Sequence, residues 1–240
     1  MNKLDFLYKF HFKRHPARDF NFSLFFPFIG TILGFITVAL TLSIMEGMEQ
    51  TIFDKLKNIS FPVKISNIHS QYFDDVLSYV INEGMEYSKG IEDRVLILKD
   101  DNYRLVDIHG VDNFDSFSLN NFTNNIELLN NDSEDSFVYI GKSLAIKLNI
   151  VLGDFITIIT PGHLNLLTGL PYKKEMLVSG IYDIEILDYD QKHIFTNYTS
   201  IEELISLDNS LIYLNHMPSE NYRSLIFDKF PLIKIEAWYK

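Results

Sequence analysis

From Asn21 to Met45 the chain runs 25 residues without a charge, with Arg14 and Arg18 before the run and Glu46 and Glu49 after it. Crossing the hydrocarbon core of a bilayer takes roughly 20 apolar residues in a helix, and a helix satisfies its own backbone hydrogen bonds there. The run therefore predicts a transmembrane helix over residues 21–46. The apolar spacing continues past it through Met45, Met48, Ile52, Phe53 and Leu56. Steps of three and four predict that the helix goes on as a stalk over 47–57. A helix from Phe22 to Lys57 measures roughly 54 Å at 1.5 Å per residue, more than a bilayer core.

Beyond Asn58 the pattern is mixed and predicts an α+β domain over 58–240. Phe61–Ile65 reads as a strand. Phe73–Asn82 reads as an amphipathic helix ended by Gly84. Arg94–Leu98 and Arg104–Ile108 read as strands around the turn Asp100-Asp101-Asn102. Residues 110–125 read as a loop or short helix, and the acidic stretch 130–136 as a surface loop and lobe boundary. Phe137–Ile140, Phe155–Thr160, Leu177–Tyr182, Ser210–Leu214 and Leu232–Ala237 are further strands. Lys142–Leu148 and Glu220–Asp228 are helices. So is Ile201–Leu207, with Ser200 as its cap and Glu203 three residues on. No internal repeat is visible.

Charge orients the span. Residues 1–20 carry a net +3 in a chain of net −11, which leaves −14 on residues 21–240. Positive charge beside a span stays cytoplasmic, so the N-terminal segment 1–20 is expected inside and the acidic domain outside. Leu4–Phe12 reads as a short interfacial helix ended by Pro16. A cleaved signal peptide would have a shorter apolar core and a small-residue cleavage site. Here Glu46-Gly47-Met48-Glu49 follows, which favours an uncleaved anchor.

The chain has no Cys, which excludes disulfides, thiolate metal sites and a cysteine nucleophile. Its acidity argues against nucleic acid. There is no Gly-x-x-x-x-Gly-Lys-Ser/Thr, G-x-S-x-G or S-x-x-K motif to support nucleotide binding or acyl transfer. The seven histidines are scattered without H-x-x-x-H or H-E-x-x-H, so no zinc site is expected. Asp183, Asp188 and Asp190 read as a turn in preference to a cation site. No cofactor, no metal and no enzymatic activity are expected.

Two segments carry candidate interactions. Gly30 and Gly34 form G-x-x-x-G in the span, a spacing that lets helices approach closely in lipid; Gly is also simply frequent in membrane helices. Residues 161–174, Pro-Gly-His-Leu-Asn-Leu-Leu-Thr-Gly-Leu-Pro-Tyr-Lys-Lys, hold Leu164, Leu166, Leu167, Leu170 and Tyr172 between two strands. An exposed apolar cluster on a loop marks a contact site; the other reading is a hairpin whose leucines fold back on the domain.

Ile29-Gly30-Thr31-Ile32-Leu33-Gly34 and Leu42-Ser43-Ile44-Met45-Glu46-Gly47-Met48-Glu49-Gln50 are similar to the first membrane helix of lipoprotein-releasing ABC transporter permeases. That superfamily also includes MacB-type and FtsX-type permeases. The resemblance continues at Ile140-Gly141-Lys142-Ser143-Leu144-Ala145, Leu148, Leu152-Gly153-Asp154 and Val178-Ser179-Gly180-Ile181-Tyr182-Asp183, then Asp190 and Phe195. Glu46 departs from the Asn usual in the family's helix-exit turn.

The resemblance implies a MacB-like periplasmic core domain of two lobes, placed outside the bacterial inner membrane. It implies four kinds of partner: a cytoplasmic ATP-binding subunit, a second permease copy or paralogue, lipoprotein cargo and a periplasmic carrier protein. It implies three further membrane helices, so that these residues are an N-terminal portion or a truncated relative. It also implies that Leu166, Leu167, Thr168, Gly169, Leu170, Pro171 and Tyr172 form a carrier-binding hook. A MacB- or FtsX-type permease and a single-span anchored binding or assembly module are the alternatives. The long helix reads either as a rigid transmitter of ATP-driven motion or as an anchor. If Gly30 and Gly34 pack against partner helices, Gly34→Leu is expected to reduce co-purification of the chain with its membrane partners; undiminished recovery would exclude that packing role.

Overall fold

Helix α1 (Phe25–Lys57) is 33 residues long, about 50 Å at 1.5 Å per residue. Pro27 falls in its first turn, where a missing N–H costs little. Its apolar side chains are exposed all round, Phe26 at 72% and Phe35 at 75% among them, as in a helix that meets lipid instead of a protein core. Thr31, Thr37 and Thr41 each return a hydroxyl to the carbonyl four residues back, which satisfies these three hydroxyls inside the helix. Among the described residues this is the one helix long and apolar enough to cross a membrane. It starts at Phe25, within the expected 21–46 span, and runs through the expected stalk.

This computed structural model describes residues 25–57, 59–100, 102–122, 126–129, 136–205, 209–230 and 232–237. The expected cytoplasmic segment 1–20 lies outside them, as do residues 130–135. Two compact units divide at Thr51–Ile52.

Among the described residues the second unit is a mixed ten-stranded sheet with six short α-helices on it. The strands are β1 (Val63–Ser66), β2 (Tyr87–Lys99), β3 (Asn102–Val111), β4 (Ile126–Leu128), β5 (Phe137–Gly141), β6 (Phe155–Leu164), β7 (Pro171–Tyr182), β8 (His193–Asn197), β9 (Ser210–Leu214) and β10 (Lys234–Ala237). The helices are α2 (Phe73–Asn82), α3 (Phe114–Phe122), α4 (Lys142–Leu148), α5 (Leu187–Lys192), α6 (Tyr198–Ile201) and α7 (Glu220–Lys229).

The ladders form a closed ring: β2 pairs β3, β3 pairs β8, β8 pairs β5, β5 pairs β7, β7 pairs β6, and β6 returns to β2. Period-two alternation turns one face of every strand inward. Val95 and Ile97, Val106 and Ile108, Val138 and Ile140, Ile156 and Ile158, Met176 and Val178, and Ile194 fill the barrel, with Leu144 and Leu148 of α4 in the same core.

The second lobe grows from the same β2. Its first half, Tyr87–Ile91, pairs β9, which pairs β1, which pairs β10. Helices α2 and α7 cover one face of these strands through Val76, Leu77, Val80, Tyr222 and Ile226. Asp74 and Asp75 sit in the first turn of α2, where acidic charge favours the helix N-terminus. The lobes therefore meet along β2. The expected boundary at 130–136 is corrected: that segment joins β4 to β5, both of which belong to the barrel through β7.

Residues 110–122 close β3 and then form α3, the short helix expected there. Two element assignments change. Strand β1 begins at Val63, two residues later than the pattern indicated. The helix expected at Ile201–Leu207 is α6, ending at Ile201, and its cap is Asn197, whose side chain accepts from Ser200 N–H. Ser200 is itself 1% exposed; the apolar Ile201, Leu204 and Ile205 point into the barrel core, which mimics a longer helix in the pattern.

The glycines of the β5–α4 and β7 segments are fixed by close approach. A Cβ on Gly141 would lie 2.0 Å from the Asp190 carbonyl oxygen, and one on Gly180 would lie 2.8 Å from the Tyr139 ring. Backbone cannot retreat as a side chain can. Gly141→Ala is therefore expected to destabilise the domain by about 3 kcal/mol or more and Gly180→Ala by less, since overpacking costs roughly 1–3 kcal/mol where side chains can give. Thermal unfolding of the two variants checks the order.

Candidate functional site: a leucine-tipped hairpin and a charged cleft

Strands β6 and β7 run well past the barrel as a hairpin. The expected loop 161–174 is mostly strand, and only Asn165–Leu170 turns. The turn is organised by Asn165: its Oδ1 accepts from Leu167 N–H and Thr168 N–H, at 2.9 and 3.1 Å. Gly169 N–H donates to the Asn165 carbonyl, and Asn165 N–H donates to the Leu170 carbonyl. Gly169 has φ +67°, a left-handed conformation that glycine adopts without a steric penalty. Thr168 Oγ1 accepts from Leu170 N–H.

The turn is held by its own hydrogen bonds, yet its leucines stand in solvent. Leu166 is 100% exposed, Leu167 95% and Leu170 65%. Tyr172 is exposed at 37%. The alternative of leucines folded back on the domain does not hold. From Phe155 to Lys174 the chain has His163, Lys173 and Lys174 but no acid, in a chain of net −11. The tip is thus an apolar, uncharged point, while Lys173 and Lys174 lie at the base of the ribbon opposite Ile159 and Ile158.

A second feature was not legible in the sequence. Where the two lobes meet, the sheet face outside the barrel holds a cavity of about 690 Å³, lined by Lys64, Glu92, Arg94, Asp107, His109, His193 and Tyr213 with Phe61, Phe117, Tyr189 and Phe195. Parity explains the set: Ile91, Val95, Ile108 and Ile194 face the core, so Glu92, His109 and His193 face the cleft.

Glu92 accepts from Tyr213 Oη at 2.9 Å and from Lys64 Nζ at 3.2 Å. His109 Nδ1 lies 3.3 Å from the same carboxylate, and His109 Nε2 lies 2.9 Å from His193 Nδ1. Burial alone would raise the Glu92 carboxyl, but the hydrogen bond and charge of His109, with Lys64 and Tyr213, outweigh it and hold it at about 2. Burial, with the neighbouring charge of His109, lowers His193 to about 4.

Two of the scattered histidines thus meet across β3 and β8, and a third, His163, lies 2.8 Å from Asp93. Among the described residues no group of three or more His, Asp or Glu is placed to hold a metal ion. Around the acidic 183–190 stretch, Asp183 accepts from Lys142 at 3.0 Å, and Asp188 pairs with Lys192. Asp190 is 1% exposed, caps the turn by accepting from Ile184 N–H, and is pushed up to about 6 by burial. In α1, a Cβ on Gly30 or Gly34 meets nothing within 4 Å, so both positions are open to a neighbouring helix.

Both cleft shifts act in the same direction. His193 and Glu92 are depressed on folding from 6.5 and 4.5, so the unfolded chain binds more protons and stability falls as pH falls. The His193 contribution is present above pH 6.5 and lost towards 4; the Glu92 contribution, on the order of 3 kcal/mol, is present above 4.5 and lost towards 2. Melting temperature against pH is expected to show both limbs, with Glu92→Gln flattening the lower and His193→Asn the upper.

No family model matches the chain, and no curated protein matches it. Among solved structures it is similar to the periplasmic region of MacB from Actinobacillus actinomycetemcomitans, at 12% identity and a TM-score of 0.42, over 77% of this chain and 94% of that one. It is also similar to the extracellular domain of the ABC-type transporter YknZ from Gram-positive bacteria, at 11% identity and a TM-score of 0.43, over 72% of this chain and 98% of that one.

Proposed function

We propose that this chain is the anchored, extracytoplasmic part of an ABC-type permease of the lipoprotein-releasing kind. In this reading α1 crosses the inner membrane with the basic N-terminal segment in the cytoplasm. A separate cytoplasmic ATP-binding subunit supplies the energy, and a second permease copy or paralogue completes the membrane part. Lipoprotein cargo leaves the membrane, and the leucine hairpin receives a soluble periplasmic carrier.

The observation that carries the docking role is the tip itself: Leu166 and Leu167 stand fully in water on a turn held by its own hydrogen bonds. Such a turn loses little conformational entropy on binding. Its leucines fit an apolar groove on a partner. Support for the membrane role comes from the all-round apolar surface of α1 and from the ordered run of residues shared with the permease family.

A photo-crosslinker in place of Leu167 in living cells tests the reading. Capture of a soluble periplasmic protein, together with co-purification of an ATPase, is the expected result. Capture of lipid alone, with no ATPase recovered, would replace it by a free-standing anchored module. Leu166→Asp with Leu167→Asp is expected to weaken that capture about tenfold or more, as for central contact residues. The melting temperature should not change, because neither side chain is buried.

A further inference from the structure

The hairpin should be loose, and one contact says otherwise. Strand β6 is tied to β2 only through Leu96↔Ile159, Ile97↔Ile158 and Leu98↔Thr157. Pro161 then has no N–H to offer the ladder, and the β6–β7 register is irregular between Thr160 and Leu164. Past that point the hairpin is a two-stranded ribbon, which is marginal by itself in water.

Immediately after the break, His163 Nε2 lies 2.8 Å from Asp93 Oδ2 on β2, where the interrupted ladder would have continued. Both side chains are withdrawn from solvent, at 21% and 18% exposure. The carboxylate is acceptor-only, so Nε2 donates. The second Asp93 oxygen accepts from Arg94 N–H at 2.7 Å, which fixes the carboxylate in place. Removing either partner takes this bond from a partly buried polar atom of the other, which costs more than losing an exposed pair would.

We propose that His163 and Asp93 form a latch that fixes the direction of the leucine tip relative to the barrel. They are positioning residues: neither belongs to the exposed tip, and both act through the ribbon they hold. The latch rests on the docking reading only for its purpose, since its mechanical effect exists without any partner.

The absence of cysteine allows a clean test. Spin labels on Leu167→Cys at the tip and Ile146→Cys on α4, where Ile146 is 73% exposed, report the tip-to-barrel distance in the full detergent-solubilised chain with no partner added. The parent should give one narrow distance distribution. Asp93→Ala and His163→Ala should each broaden it about twofold, as for a ribbon held by its own pairing alone. His163→Gln, which keeps a donor at similar reach, should restore most of the narrowness. Unchanged distributions in both alanine variants would overturn the latch, and so would equal broadening in His163→Gln. If Asp93→Ala does not fold, His163→Ala on the ribbon decides the matter alone. Failure of partner capture at the tip leaves this distance result untouched, so the two ideas fail separately.

Discussion

Strand β2 is the constraint on which the domain depends. One continuous run of 13 residues serves two cores: its first half belongs to the sheet under α2 and α7, its second half to the barrel. Neither lobe closes without it. The crossover crowds the backbone, and glycine relieves it: a Cβ on Gly90 would lie 2.2 Å from the Tyr213 ring. Just past that point Glu92 collects Tyr213 from β9, Lys64 from β1 and His109 from β3. A buried carboxylate is costly unless it is paired and hydrogen-bonded; here its donors come from both lobes, so the charge stays satisfied only while the lobes keep their arrangement.

The residues that carry the family resemblance are architectural. Gly141 ends β5 against the α5 backbone, and Gly180 lies under Tyr139. Asp154 accepts from Val151 N–H and pairs with Lys99 on β2, and these contacts lower its carboxyl. Phe195 stacks in the aromatic cluster that also holds Phe117, Phe122 and Tyr182. Each solves a local packing or capping problem of the barrel. The candidate contact residues Leu166 and Leu167 solve none, which is the usual division between a scaffold and the loop it presents.

That division gives the mechanical picture. The closed barrel leaves no unpaired edge among its six ring strands, and two segments project from it. The hairpin leaves the barrel where Pro161 ends the ladder. The C-terminal turn of α1 enters the domain through Lys55, which pairs with Glu185, and the chain then folds back as Ile59 and Ser60 donate to the Leu56 carbonyl. Phe61 follows at once and stacks on Tyr213 at 4.3 Å, which forms one wall of the cleft.

The amino-acid pattern by itself determined the apolar helix and its continuation, and placed α2, α4, the β2–β3 turn and the hairpin, because each is set by near neighbours. Period 3.6 or 2, the Gly84 stop and the charge-free run are all local. It also singled out Leu166, Leu167 and Leu170, whose exposure follows from having nowhere to pack. Only the tertiary structure closed six strands into a ring, located the lobe junction on β2, and moved the helix cap from Ser200 to Asn197. It alone brought His109 to His193 and His163 to Asp93, pairs 84 and 70 residues apart in the chain. Those meetings are set by strand order and register, and register is a property of which strands pair, not of any one strand's side chains.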